Sequence, residues 1–236
     1  MSDPVHVFVS AFYPLCDNSR FEQIVHNYHK VSRFFHIHLF CPPGFMSTHE
    51  FTNTTFYEVP FEELDTFKLL SETSNLPTIR NDTKDTRDYM ILMNAKTEFI
   101  RRVRDAGVKA NHYVWIDAGI GKIFKDAEAT FQLLKDRLAS NTLPVDRILL
   151  PGCYSVPETN LDVLFSRVCW RFCGGFFIVP SLLVDNFADT VLLGCEEIKT
   201  RSGLTVWEVN VWAFVERRLP IQWARGDHNE TIFNCI

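Results

Sequence analysis

Asp117 follows the apolar run His112–Ile116 (HYVWI) and precedes Ala118-Gly119-Ile120-Gly121. A carboxylate at the carboxyl end of a buried strand lies where open α/β sheets bind ligands, and glycines there let a bulky group approach the backbone. The arrangement suits a hard divalent cation, Mn²⁺ or Mg²⁺, bridging the carboxylate and a diphosphate. It also suits an Asp that caps the next turn.

Three further groups pose the same kind of choice. Lys96 lies within an apolar helical stripe of Leu92, Ala95, Phe99 and Val103, and a buried ammonium requires a protein carboxylate or a ligand phosphate. Glu208 lies in Leu204–Arg217 (LTVWEVNVWAFVER). As a helix, this segment turns Glu208 toward the core with Val211, Trp212 and Val215, a setting that favours acid/base use. As a strand, Glu208 and Asn210 share a face with Trp212 and Phe214, and periodicity does not choose between the two. His228, in Gly226-Asp227-His228-Asn229, offers an imidazole to the same metal as Asp117; by itself it reads as part of a turn. Arg20 follows the first strand and is placed either to meet phosphate or to lie on a solvated helix end. No Gly-Lys-Ser/Thr and no G-x-G-x-x-G follows the first strand, which disfavours P-loop and dinucleotide sites.

These side chains must be positioned by alternating elements. Strands are expected over Val5–Tyr13, His36–Phe40, Thr55–Val59, His112–Ile116, Arg147–Leu150 and Phe172–Val179. Helices are expected over Phe21–Phe34, after an Asp17-Asn18-Ser19 cap, and over Asp88–Asp105, Asp126–Ala139 and Ser181–Lys199. Ser71–Asp88 is polar and reads as an ordered loop or flap. The alternation predicts one α/β domain with a mainly parallel sheet covered on both faces. Ligand contacts then fall on Ala11–Arg20, Asp117–Gly121, Pro151–Tyr154 and the last residues.

The 236 residues carry a net charge of -5, which argues against general affinity for nucleic acid or acidic lipid. No apolar run reaches the ~18 residues that span a bilayer. Met1–Pro4 does not read as a secretory leader, so a cytoplasmic setting is expected and the sequons at Asn53, Asn81 and Asn229 are expected to stay unused. The seven cysteines read as reduced thiols. Cys169 and Cys173 suit neighbouring helix positions, with no second Cys/His pair in sequence to complete a zinc site.

Taken together, the chain resembles the HtrL/YibB-like glycosyltransferase family, which has relatives in large DNA viruses. The matching pieces are Ser10-Ala11-Phe12-Tyr13 with Arg20, Tyr89…Asn94-Ala95-Lys96…Phe99-Ile100, and Tyr113-Val114-Trp115-Ile116-Asp117-Ala118-Gly119-Ile120. Gly174-Gly175-Phe176-Phe177, Trp207-Glu208 and Asp227-His228 complete the order. The resemblance implies a GT-A-like fold, with a nucleotide-binding part at about 1–125 merged with an acceptor part at about 126–236. It implies a nucleotide-sugar donor, UDP-linked, and a glycan or glycoprotein acceptor. Ala11, Phe12 and Tyr13 would line the nucleoside pocket, and Arg20 and Lys96 would lie near the phosphates. Asp117 and His228 would hold the metal, Glu208 would face the acceptor, and Gly174 and Gly175 would border it. Gly119 stands where the family pattern has a second Asp. Two other readings are a sugar nucleotidyltransferase, for which the glycine-free Ala11–Arg20 loop is a poor match, and an inactive nucleotide- or carbohydrate-binding module.

Overall fold

The computed structural model describes residues 6–15, 18–46, 51–72 and 75–236. Val5 and Asp17, expected in the first strand and the first helix cap, lie outside them, as do the side chains of Asn18 and Ser19. Seven strands form one sheet: β1 (His6–Ala11), β2 (Ile37–Cys41), β3 (Thr54–Glu58), β4 (His112–Ile116), β5 (Ile148–Gly152), β6 (Phe176–Pro180) and β7 (Ile221–Arg225). Their order is β3-β2-β1-β4-β6-β5-β7. All neighbours run parallel except β6, which is antiparallel to both β4 and β5. The expected mainly parallel, two-sided α/β fold is therefore present. A Rossmann-like half, β3-β2-β1-β4, continues through the reversed β6 into β5 and β7.

Side-chain alternation explains why the central strands are apolar on both faces. Val7 and Val9 of β1, Tyr113 and Trp115 of β4, and Phe177 and Val179 of β6 enter one core. Phe8, Val114, Ile116, Phe176 and Ile178 enter the opposite one. The first core is covered by α2 (Asp65–Leu70), α3 (Arg87–Asn94), α4 (Lys96–Asp105), α7 (Val184–Ser202) and α8 (Glu208–Val215). The second is covered by α1 (Asn18–Ser32), α5 (Ala127–Ser140) and the 3₁₀ turn Glu230–Phe233. Stacked rings cross the first core: Phe99 on Trp115 and Trp115 on Phe177, each at 6.1 Å between centroids. Such pairs contribute roughly 0.5–1.5 kcal/mol each beyond area burial.

Local signals set the helix ends. Asp126 caps α5 by accepting from the Ala129 amide, and Thr86 caps α3 through Tyr89. The last turn of α7 closes on Gly203 at φ 69, a left-handed position that glycine fills without strain. The expected single helix 88–105 is divided at Ala95, where ψ opens to -3. Its apolar stripe continues through the break, so the pattern alone gives no sign of it. The 204–217 ambiguity resolves as a helix, α8. Cys169 and Cys173 do not lie on a helix; they precede β6 in irregular chain. A short helix α6 (Leu161–Ser166) and strand β7 complete the described elements.

Candidate functional site

The break at Ala95 has a structural consequence at the site. Asn94, at the end of α3, donates to the Val206 carbonyl at 2.8 Å. Lys96, at the start of α4, donates to Glu208 Oε1 at 2.9 Å. Two residues spaced by two therefore hold two residues spaced by two at the entry to α8. This gives the Asn-x-Lys pattern a physical reason.

Lys96 is 1% exposed. Its Nζ also donates to the Gly174 carbonyl at 2.8 Å and pairs with Asp117 Oδ1 at 3.0 Å. An ammonium has three protons, and three protein acceptors take them. Burial acts to lower the Lys96 pKa, but the carboxylates of Asp117 and Glu208 outweigh it, and the net shift is upward. Lys96 thus joins the end of β4 to the start of α8 from beneath the site, and the phosphate contact expected of it is not available while these bonds stand.

Asp117 is fixed from three directions. Its amide donates to the Gly175 carbonyl at 2.9 Å. Its Oδ1 accepts from the Trp115 indole N–H at 2.7 Å, which satisfies a polar atom that a buried Trp must place. Oδ2 faces Gly175. A side chain at Gly174 would collide with Glu208 and crowd Lys96, so Gly174 admits the Lys96–Glu208 bridge, and both glycines line the site.

Above this bridge is a cavity of about 270 Å³. Ala11, Phe12, Tyr13, Arg20, Asp117, Gly119, Gly174, Gly175, Glu208 and His228 all line it. Every site residue expected from sequence except Lys96 is on its wall, beyond the carboxyl ends of β1 and β4. The wall also carries Lys84, Lys122, Tyr89 and Trp170, which sequence reasoning did not assign to a site. Lys84 approaches the Tyr89 ring at 5.0 Å, and burial, then the charges of Glu208 and Asp117, push the Tyr89 hydroxyl well up. Arg20, Lys84 and Lys122 give the wall three cationic groups against the acids Asp117 and Glu208.

His228 packs edge-on against Trp170 at 4.4 Å between centroids. Burial lowers its imidazole pKa, opposed by the charge of Asp227, so the ring is held toward its neutral, metal-ligating form. Among the described residues, the three-residue ligand cluster containing His228 joins it to Cys153 and Cys173 rather than to Asp117, with all ligand atoms within 4.8 Å of one another. No helix among the described residues is long and apolar enough to cross a membrane.

No family model matches the chain, and no curated protein matches it. Among solved structures it is similar to a glycosyltransferase involved in the glycosylation of the major capsid of PBCV-1. That match has a TM-score of 0.45 and 9% identity, and it covers 94% of this chain and 82% of that one. The fold class is fixed by the strand order itself.

Proposed function

We propose that the chain is a glycosyltransferase that binds a nucleotide-sugar donor in the cavity above Asp117 and passes the sugar to a glycan or glycoprotein acceptor. The observation that carries this reading is the convergence of the strand-end residues on one cavity of mixed charge. Its pocket after β1 is aromatic, its wall carries three cations, and its two carboxylates are held by a shared lysine. Ala11, Phe12 and Tyr13 suit a nucleobase and ribose, UDP in the first instance. Arg20, Lys84 and Lys122 suit a diphosphate, whose charge grows as the sugar bond breaks.

Asp117 Oδ2 and His228 are the groups that would hold a divalent cation. Gly119 supplies no second acid, and Asp117 Oδ1 is taken by Trp115 and Lys96. This donor set fits Mn²⁺ or Mg²⁺ where the diphosphate provides further oxygens. Bound there, the cation would neutralise charge on the leaving diphosphate.

Lys96 acts through its partners, keeping Asp117 turned to the donor and Glu208 turned to the acceptor. Glu208 lines the cavity from the first turn of α8, where the helix N-terminus favours an anion, and its second oxygen is available to an acceptor hydroxyl. The acceptor would enter on the side of Gly174, Gly175 and Trp170, in the 126–236 part.

The test is release of nucleoside diphosphate from UDP-sugars, with and without acceptor glycans, for the parent and for Glu208→Gln. The expected result is turnover in the parent and a loss of at least ~100-fold in the variant, the scale of an acid/base group, with donor binding retained. Donor binding without turnover in the parent would identify a binding module instead.

A further inference from the structure

His228 lines the cavity, and beside it stand Cys153 and Cys173, which have no part in the transfer reaction above. We propose that Cys153, Cys173 and His228 form a second cation site, selective for a thiophilic ion of the Zn²⁺ class, with Asp227 beside Cys153 and the fourth position left to water or to that carboxylate once turned.

The spacing carries the proposal. Around a tetrahedral ion with Zn–S near 2.3 Å, two sulfurs stand about 3.8 Å apart. Cys153 Sγ and Cys173 Sγ are 3.7 Å apart. A thiolate and a carboxylate oxygen on the same ion stand about 3.6 Å apart, and Asp227 Oδ1 is 3.4 Å from Cys153 Sγ. The imidazole is within 4.8 Å of both sulfurs, so a closure of roughly 1 Å by its half-exposed ring would reach the bonding edge.

The backbone carrying these groups is already assembled. Cys153 follows β5 and Cys173 precedes β6, and the segments are joined by Cys173 N to Pro151 O at 2.8 Å and Cys153 N to Trp170 O at 3.0 Å. The end of β7 is tied to the same place by Gly226 N to Gly152 O at 3.0 Å. Without an ion, Cys153 donates to Asp227 and Cys173 to the Gly226 carbonyl. Binding replaces these two S–H protons with the cation and releases both to solvent. Two sulfurs and a nitrogen favour zinc over Mg²⁺ or Mn²⁺, which favour oxygen. Loading the site would draw His228 out of the donor cavity, so zinc and the Asp117-bound cation would compete for one imidazole.

The experiment titrates zinc into the reduced full chain in metal-free buffer against a chromophoric chelator, without nucleotide. The expected result is one zinc per chain, with affinity falling about 100-fold or more in Cys153→Ala and in His228→Ala, beyond the 10–100-fold of an outer-shell loss. Asp117→Asn should bind zinc like the parent, which separates this site from the donor cation. Cobalt should give a sulfur-to-metal charge-transfer band that Cys153→Ala diminishes. Melting of each metal-free variant checks folding, and Cys153 is the partly exposed position of the pair. Failure to take up one equivalent, or uptake undiminished in folded Cys153→Ala, would overturn the proposal. The transferase reading would be untouched by either result.

Discussion

Lys96→Met removes the ammonium beneath the cavity while keeping an unbranched apolar stem of similar length. Two carboxylates lose their shared partner. Glu208, 8% exposed at its side chain, loses more than Asp117, which at 34% is partly screened by water. Removing one member of a buried pair costs about 3–5 kcal/mol. For a chain of this size each kcal/mol lowers the melting temperature by about 2–4 °C, so the expected fall is about 6–20 °C. The Lys96 pKa is raised in the folded state, so its contribution is fully present below the ordinary lysine value of 10.5 and is lost only as pH rises through the raised value. The deficit of Lys96→Met should therefore hold steady across neutral pH. Adding Glu208→Gln removes the orphaned charge and should recover part of the loss, giving a coupling energy of about 0.5–3 kcal/mol in a double-mutant cycle. Thermal melts from pH 4 to 9 on the parent, both singles and the double read all of this. A Lys96→Met melt within 2 °C or so of the parent, or no coupling, would refute the bridge as the organiser of the site.

Gly174→Ala should cost about 1–3 kcal/mol by denaturant unfolding, because its methyl group can be housed only by displacing Glu208 from Lys96. Arg171 chelates Glu216 and lies over the Phe172 and Trp223 rings; Arg171→Met, which strands a mostly buried carboxylate, should cost about 3–5 kcal/mol in the same assay. Burial, with some help from the charge of His36, lowers the His38 pKa from 6.5 to about 4. Below pH 6.5 the unfolded chain takes up that proton first, so this contribution is complete above 6.5 and is lost as pH falls toward 4. His38→Gln, which keeps a partner for the Tyr57 hydroxyl, should flatten that limb of the stability curve; an unchanged acid limb would exclude His38 as its source.

Residues at strand ends were legible in sequence because chain order alone brings them to one sheet edge. Asp117 after HYVWI is of this kind; Tyr13, expected inside the first strand, lies beyond its end at Ala11. Glu208 was singled out as a charge that could face the core, but its helix was not resolved, since a segment buried on nearly every side has no contrasting face to read. Lys96 was recognised as buried and charged; its partners, 21 and 112 positions away, are set by tertiary packing. Lys84 lay in the polar stretch read as an ordered loop or flap, without a periodic signal to single it out, and Trp170 lies in irregular chain. Cys153 and Cys173 meet because β6 runs against β5, a reversal that strand patterning does not encode. The alternation Ile221, Trp223 against Gln222, Ala224 was an available signal for β7 that the reading did not use.

The central claim is that Asp117 and a divalent cation hold a donor diphosphate in the cavity, and calorimetric titration of UDP with and without Mn²⁺ tests it most directly. The account predicts binding in the parent that strengthens with Mn²⁺, with that strengthening absent in Asp117→Asn although its melting temperature stays near that of the parent. Tight UDP binding that ignores both Mn²⁺ and Asp117→Asn would contradict the metal-bound donor, and no binding of any nucleoside diphosphate by the folded parent would contradict the donor site itself.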